Sequence, residues 1–367
     1  MTSVKRSSAL LDALAAHGIV DHHPAIPSAP LPSPEWDRLL STAHLERLVP
    51  VLAWAISEAA WPASDDQREE ALARHRSSMA SALLLERLLL DLHDAFVAEE
   101  IDHVVLKGPA TAHLDAPDPS WRAFADLDLL VAPEHLDRAC RVLADWGGHR
   151  RYREPRAGFD RRFSKGMAYV LPTGHEVDLH RTLCQGPFGL TIDPAELAAG
   201  RERFVVGGVT LDALDQPRRF VHACVHAVLG QPVPRPGQLR DVALSCPRSP
   251  GLLLDALALA RRWQLEPVVR TALDETSTRL GWEPPGPLRA WQAGTGWSVR
   301  DRWRLESYHD TPRAPVLRAL TSLAAVPGLR EKVAYGLAVA APTDGRNARV
   351  GQRAGRALRA LTGGHRR

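Results

Sequence analysis

The sequence predicts an α+β protein in which a small mixed β-sheet core is flanked by helical N-terminal and C-terminal regions. Three observations carry that expectation. The first hundred residues place apolar side chains at helical spacing, the next hundred or so interleave short alternating strands with helices and a hairpin signal, and the helical period returns from about Pro217. Strands mixed with hairpins argue against a doubly wound parallel sheet. The chain then divides into a helical scaffold over 1–100, a mixed core over 101–214, a helical region over 215–340 and a basic tail over 341–367.

From Ser8 to about Glu99 the pattern is helical, interrupted by the prolines between Pro24 and Pro34 and by Pro62 to Ser64. Ser64-Asp65-Asp66-Gln67 has the spacing of a capping box, so a long helix is expected to start there. Leu85, Leu88, Leu89, Leu92 and Phe96 form one apolar stripe along it. At His103 the character changes: His103-Val104-Val105-Leu106-Lys107 reads as a strand, followed by Gly108 and by Pro109 at a favoured first helical position. Asp126 to Val131 reads as a second strand. Pro133 is expected to open a helix that Gly147-Gly148 stop. Met167–Leu171 and His175–His180 flank Thr173-Gly174 as a hairpin, and a shorter hairpin is expected over Phe204–Leu211.

Composition narrows the function classes. The 367 residues carry 46 Lys+Arg against 43 Asp+Glu, a formal charge of +3, which neither demands nor excludes nucleic acid. At 45% hydrophobic and 24% charged, the chain is globular rather than disordered or fibrous. Cys140, Cys184, Cys224 and Cys246 are widely spaced, with no zinc-knuckle or disulfide pattern, and read as small core residues. No signal-type or membrane-length apolar run is seen, so a cytoplasmic location without membrane attachment is expected. Arg346, Arg349, Arg353, Arg356, Arg359, Arg366 and Arg367, broken by glycines, read as a solvated tail.

The residues that carry chemistry are Asp126, Asp128 and Asp178. On a strand, Asp126 and Asp128 project together while Leu127 and Leu129 face the core, and in the later strand Glu176, Asp178 and His180 share a face. Pairing the two strands would bring three carboxylates together. Such a cluster repels itself unless a cation sits within it, and hard oxygen ligands suit Mg²⁺ or Mn²⁺. Lys107 and Gly108, at a strand end entering a helix, offer a point charge and a backbone amide to phosphate oxygens. Arg122, four residues before Asp126, offers a fork of donors to a phosphate or an acid. His222 and His226 lie four apart on an expected helix without a third zinc ligand, and read as packed helix histidines.

Taken together, Leu106-Lys107-Gly108, Arg122, Asp126-Leu127-Asp128 and Glu176-Val177-Asp178-Leu179-His180 resemble the polymerase-β-like nucleotidyltransferase superfamily, and within it a group labelled uncharacterised nucleotidyltransferases. The resemblance spans about Asp102 to His180, with weaker similarity at His226 and Leu239-Arg240-Asp241. It departs from the superfamily's commoner pattern where Lys107 precedes Gly108 and where Ala125 precedes Asp126. It implies a catalytic core over 101–214 that moves a nucleoside monophosphate from a nucleoside triphosphate to an acceptor hydroxyl and releases pyrophosphate. Asp126, Asp128 and Asp178 would be metal ligands and catalytic acids, Asp178 the general base, Lys107, Gly108 and Arg122 the phosphate contacts, and His180, His226 and Asp241 the cleft lining. A small molecule or a peptide hydroxyl is the favoured acceptor. An RNA-modifying enzyme and a non-catalytic nucleotide-binding scaffold are the alternatives.

Overall fold

The computed structural model describes residues 3–294 and 297–340, so the arginine-rich tail expected from Arg346 onward lies outside the described residues. Four helices come first: α1 (Ser3–Ala16), α2 (Ser33–Leu45), α3 (Val49–Ser57) and the long α4 (Asp65–Ala98). The expected capping box starts α4. Ser64 Oγ accepts the Gln67 amide at 3.3 Å while the Gln67 side-chain oxygen accepts the Ser64 amide at 3.2 Å, and Asp65 and Asp66 complement the helix dipole. Leu85, Leu89, Leu92 and Phe96 of the predicted stripe are buried and Leu88 lies at its edge.

The mixed core follows as β1 (His103–Val105), α5 (Pro109–Leu114), β2 (Asp126–Val131), α6 (Leu136–Asp145), β3 (His149–Arg150), α7 (Phe159–Phe163), β4 (Gly166–Val170), β5 (Glu176–His180), α8 (Pro194–Ala199), β6 (Arg201–Val206) and β7 (Val209–Leu214). These strands form one seven-stranded mixed sheet in the order β3-β4-β5-β2-β1-β7-β6. The β4–β5, β1–β2 and β6–β7 pairs are antiparallel, whereas β2–β5 and β1–β7 are parallel. The chain then returns to helices: α9 (Gln216–Leu229), α10 (Pro236–Ser245), α11 (Pro250–Arg262), α12 (Glu266–Leu280), α13 (Gly286–Gln292), α14 (Val299–Glu306), α15 (Ala314–Ala325) and α16 (Leu329–Ala340). Among the described residues no helix is long and apolar enough to cross a membrane.

The α+β expectation holds; the main differences are two shifted boundaries and one strand that was not expected. The helix expected from Pro133 begins at Leu136, because Pro133 to His135 form a turn in which the His135 ring accepts the Asp102 amide at 3.2 Å. The hairpin expected over Phe204–Leu211 is longer. Its strand β6 starts among charged residues, Arg201-Glu202-Arg203, whose apolar alternation is weak because β6 is an edge strand. The two-residue strand β3 has no apolar pattern to announce it.

Two hydrophobic clusters lie on opposite faces of the sheet. Leu127, Leu129, Val131, Val177 and Leu179 turn to one face, where α4 and α6 cover them. Val104, Leu106 and Leu130 turn to the other, where they join a larger core built from α1–α3 and α9–α12. That second face also carries Asp126 and Asp128, two pairs and one pair of residues nearer the start of β2 than Leu130. The helices therefore seal one end of this face and leave the acid end bordering a cavity.

Candidate active site

The parallel register of β2 and β5 sets Asp126 beside Glu176, Asp128 beside Asp178 and Leu130 beside His180. Alternation does the rest: with Leu127, Leu129, Val177 and Leu179 fully buried on the far side, Asp126, Asp128, Asp178 and His180 share the near face. Among the described residues, donor atoms of Asp128, Asp178 and His180 lie within 4.8 Å of one another, a grouping that fits a metal ion. Asp126 is not in that grouping; its carboxylate turns toward Lys107 and Arg47.

Each of the three acids has a basic partner. Lys107 Nζ stands 2.9 Å from Asp128 Oδ2 and 3.5 Å from Asp126 Oδ2. Lys165 Nζ stands 3.7 Å from Asp178 Oδ2, and Arg47 Nη1 donates to Asp126 Oδ1 at 3.4 Å. Gly108 explains how Lys107 gets there. The Leu106 amide still pairs with the Asp128 carbonyl at 3.0 Å, and Gly108, at φ +63°, then turns the chain into α5. A side chain at Gly108 would be strained by that angle. Arg47 stands in the left-handed region too, at φ +60°, at the junction of α2 and α3. Neither Arg47 nor Lys165 belongs to any motif; only the fold brings them to the acids.

Asp128 and His180 are the buried centre of the cluster, with side chains about 1% exposed. Burial alone would raise the Asp128 carboxyl, but the Lys107 ammonium and the His180 hydrogen bond outweigh it and hold it well below the usual carboxylate range. Asp178 goes the other way. Burial raises it, against the pull of His180 and Lys165. Burial and Lys165 lower the His180 ring, so it is neutral at pH 7. Its Nε2 lies 2.7 Å from Asp128 Oδ1 and its Nδ1 lies 3.3 Å from the Thr182 carbonyl. With the proton on Nε2 the ring donates to Asp128; with the proton on Nδ1 it donates to Thr182 and leaves Nε2 free as a ligand. The second arrangement is the backbone-carbonyl support that metal-binding histidines use.

The donor set passes a further test for a divalent ion. Asp128 Oδ2 is buried with no partner at hydrogen-bonding angles, its charge met only by the adjacent ammonium. Two carboxylates and an imidazole suit Mg²⁺ or Mn²⁺ better than a soft metal.

Arg122 is held from three sides. Its Nε and Nη2 donate to the two oxygens of Asp241 at 3.0 and 2.7 Å, and Nη1 donates to the Gly108 carbonyl at 3.4 Å. Arg240 and Asp241, adjacent in sequence, do not pair: Arg240 turns back to donate to the Ala15 and His17 carbonyls. Burial brings its guanidinium down to about 10. His222 and His226 are both pushed down by burial, His222 to about 3, and are neutral packed helix histidines, with the His226 ring 3.3 Å from the Gln238 amide nitrogen. A cavity of about 220 Å³ opens beside Asp126. Arg47, Lys107, Trp121, Asp126, His226 and Asp241 are among its walls, and the Trp121 ring is stacked on Trp54 at 3.8 Å.

No protein of curated function matches the chain. A solved structure, an antigenic nucleotidyltransferase-like protein from Paracoccidioides brasiliensis, is similar at 17% identity over 55% of this chain and 93% of that one, with a TM-score of 0.31, too loose an overlay to carry an argument. The profile of a family described as uncharacterised nucleotidyltransferase matches residues 32–281, a span that contains the sheet, the acids, Arg47, Lys165 and Asp241. The chain belongs to that family of nucleotidyltransferases.

Proposed function

We propose that the protein transfers a nucleoside monophosphate from a nucleoside triphosphate to an acceptor hydroxyl in the presence of Mg²⁺ or Mn²⁺, with residues 101–214 as the catalytic core. The observation that carries this reading is the adjacency of Asp128, Asp178 and His180 across a parallel strand pair, beside Lys107 and Asp126, which line a cavity that Arg47 also borders. Asp128 and Asp178 would hold the ion, with His180 as the third donor and Asp126 at the cavity side. The ion, when bound, neutralises phosphate oxygens and makes an acceptor hydroxyl more acidic.

The protein's own groups then have definite tasks. The acceptor oxygen forms a bond to the α-phosphorus, the bond from that phosphorus to the α–β bridging oxygen breaks, and pyrophosphate departs with the electron pair. Asp178 takes the acceptor proton; burial raises its carboxyl and makes it a stronger base than an exposed aspartate. Arg47 and Lys107 face the cavity and would meet phosphate charge. Arg122, paired with Asp241 and donating to the Gly108 carbonyl, acts as a positioning residue that holds the Gly108 turn.

The favoured acceptors are a small molecule or a peptide or protein hydroxyl. The test is incubation of the full-length protein with each α-³²P-labelled nucleoside triphosphate, Mg²⁺ or Mn²⁺, and separate pools of small molecules, proteins and RNA. Label transferred to a small-molecule or protein pool, and lost in Asp128→Asn, is the expected result. Label in the RNA pool alone would replace the acceptor assignment, and no transfer with any triphosphate would remove the enzymatic reading.

A further inference from the structure

We propose that Lys107 is the resident cation of the acid cluster, and that a divalent ion binds only by displacing its ammonium toward the cavity. The inference rests on the reading of Asp128, Asp178 and His180 as the ion's ligands.

Asp128 has one oxygen hydrogen-bonded and the other faced by a charge. His180 takes Oδ1 at 2.7 Å, and the Lys107 ammonium faces Oδ2 at 2.9 Å while also reaching Asp126 Oδ2 at 3.5 Å. It thus covers Asp128 Oδ2, the oxygen of that carboxylate which makes no hydrogen bond and which an ion held by Asp128 would take. Two cations cannot occupy the same side of one buried oxygen without strong repulsion. The charges of the site already balance, with Arg47, Lys107 and Lys165 set against Asp126, Asp128 and Asp178, so an incoming ion meets little net attraction until one of the tethered cations withdraws. Lys107 is the one able to do so. Its stem is flexible, unlike a planar guanidinium, and it borders the cavity, where space and the neighbouring Asp126 carboxylate receive it. Lys165 and Arg47 stand farther from their acids, at 3.7 and 3.4 Å, and neither contacts Asp128.

The experiment is Mn²⁺ titration of the full-length protein without nucleotide, with the free aquo-ion read by electron paramagnetic resonance. Lys107→Met removes the charge and keeps the length of the side chain, and it should bind Mn²⁺ on the order of tenfold or more tightly than wild type. Lys107→Arg keeps a cation that grips carboxylates with two donors, and it should bind less tightly than wild type. Circular dichroism checks that each variant is folded; if Lys107→Met is not, the direction of the Lys107→Arg change decides. Equal affinity in wild type and the informative variant would overturn the inference and leave the metal-site reading standing. Absence of Mn²⁺ binding by every variant up to millimolar ion would overturn both. Retention of tight binding in a Lys107→Met chain that also carries Asp128→Asn would move the ion elsewhere and overturn both as well.

Discussion

The Asp128 side chain shows how a single buried carboxylate is kept charged: an ammonium on one oxygen and an imidazole on the other outweigh a complete loss of solvent. Nearby His222 is the opposite case, buried and kept neutral, with its ring pushed down to about 3. That difference has a pH signature. Below about 6.5 the unfolded chain takes up a proton at His222 that the folded protein refuses, so stability falls as pH drops from about 6.5 toward 3, by roughly 1 kcal/mol per pH unit from this residue. His226 shifts in the same direction. Urea unfolding of wild type and His222→Leu at pH 7 and pH 5 should show a smaller loss in the variant, with part of the slope remaining from His226. Equal slopes would mean that His222 is protonated in the folded state. At this scale the sequence was informative where a two-residue period operates: it aligned Asp126 with Asp128, and Asp178 with His180. It was silent on Arg47 and Lys165, which reach the acids from a helix junction and from the residue before β4, with no local pattern to mark them. Nor did it show that Lys107 pairs with Asp128, a contact that depends on the turn at Gly108 and on a strand partner 21 residues away.

Among the elements, β5 is held in place by a strand with almost no side chain at the critical point. Gly166 of β4 pairs with His180, and a Cβ there would lie 2.0 Å from the Leu179 carbonyl oxygen and 2.8 Å from the His180 Cα. Both are backbone atoms that cannot swing aside. Gly166→Ala should therefore push β4 from β5, lower stability by about 1–3 kcal/mol and weaken Mn²⁺ binding, although residue 166 touches no metal donor. Thermal unfolding and Mn²⁺ titration of the same sample check both effects; a variant as stable as wild type would show that the strands separate without strain. Strand and helix positions were largely readable, because Asp126–Val131, Glu176–His180 and the Ser64 cap carry their own patterns. Strand order was not. The parallel contact of β2 with β5 depends on the intervening α6, β3 and β4, and alternation says which face a residue takes but not which strand lies beside it.

At the scale of the whole molecule, helices from the two ends of the chain share one core: α1–α3 and α9–α12 interlock beneath the sheet, an association that no local apolar stripe specifies. Two ion pairs, one buried and one partly buried, tie this helical layer to the segment that carries Lys107 and Gly108. Asp115, at the end of α5, meets Arg219 of α9 at 2.9 Å, and Arg122, in the loop before β2, meets Asp241 of α10 at 2.7 Å. Arg122 also holds the Gly108 carbonyl, so the second pair couples the position of α10 to the turn that aims Lys107 at the acids. Breaking it from either side strands a largely buried charge, at a cost on the order of 3 kcal/mol, whereas removing both charges together leaves none to strand. Arg122→Met and Asp241→Leu should each destabilise by about that amount, and the double variant by clearly less than their sum. Mn²⁺ affinity, read in the same three proteins, should change in the single variants and stay changed in the double, because restored stability does not restore the hydrogen bond from Arg122 to Gly108. Additive stabilities would show that the pair is solvated in solution, and unchanged Mn²⁺ affinity throughout would show that the turn at Gly108 holds its shape without the strut.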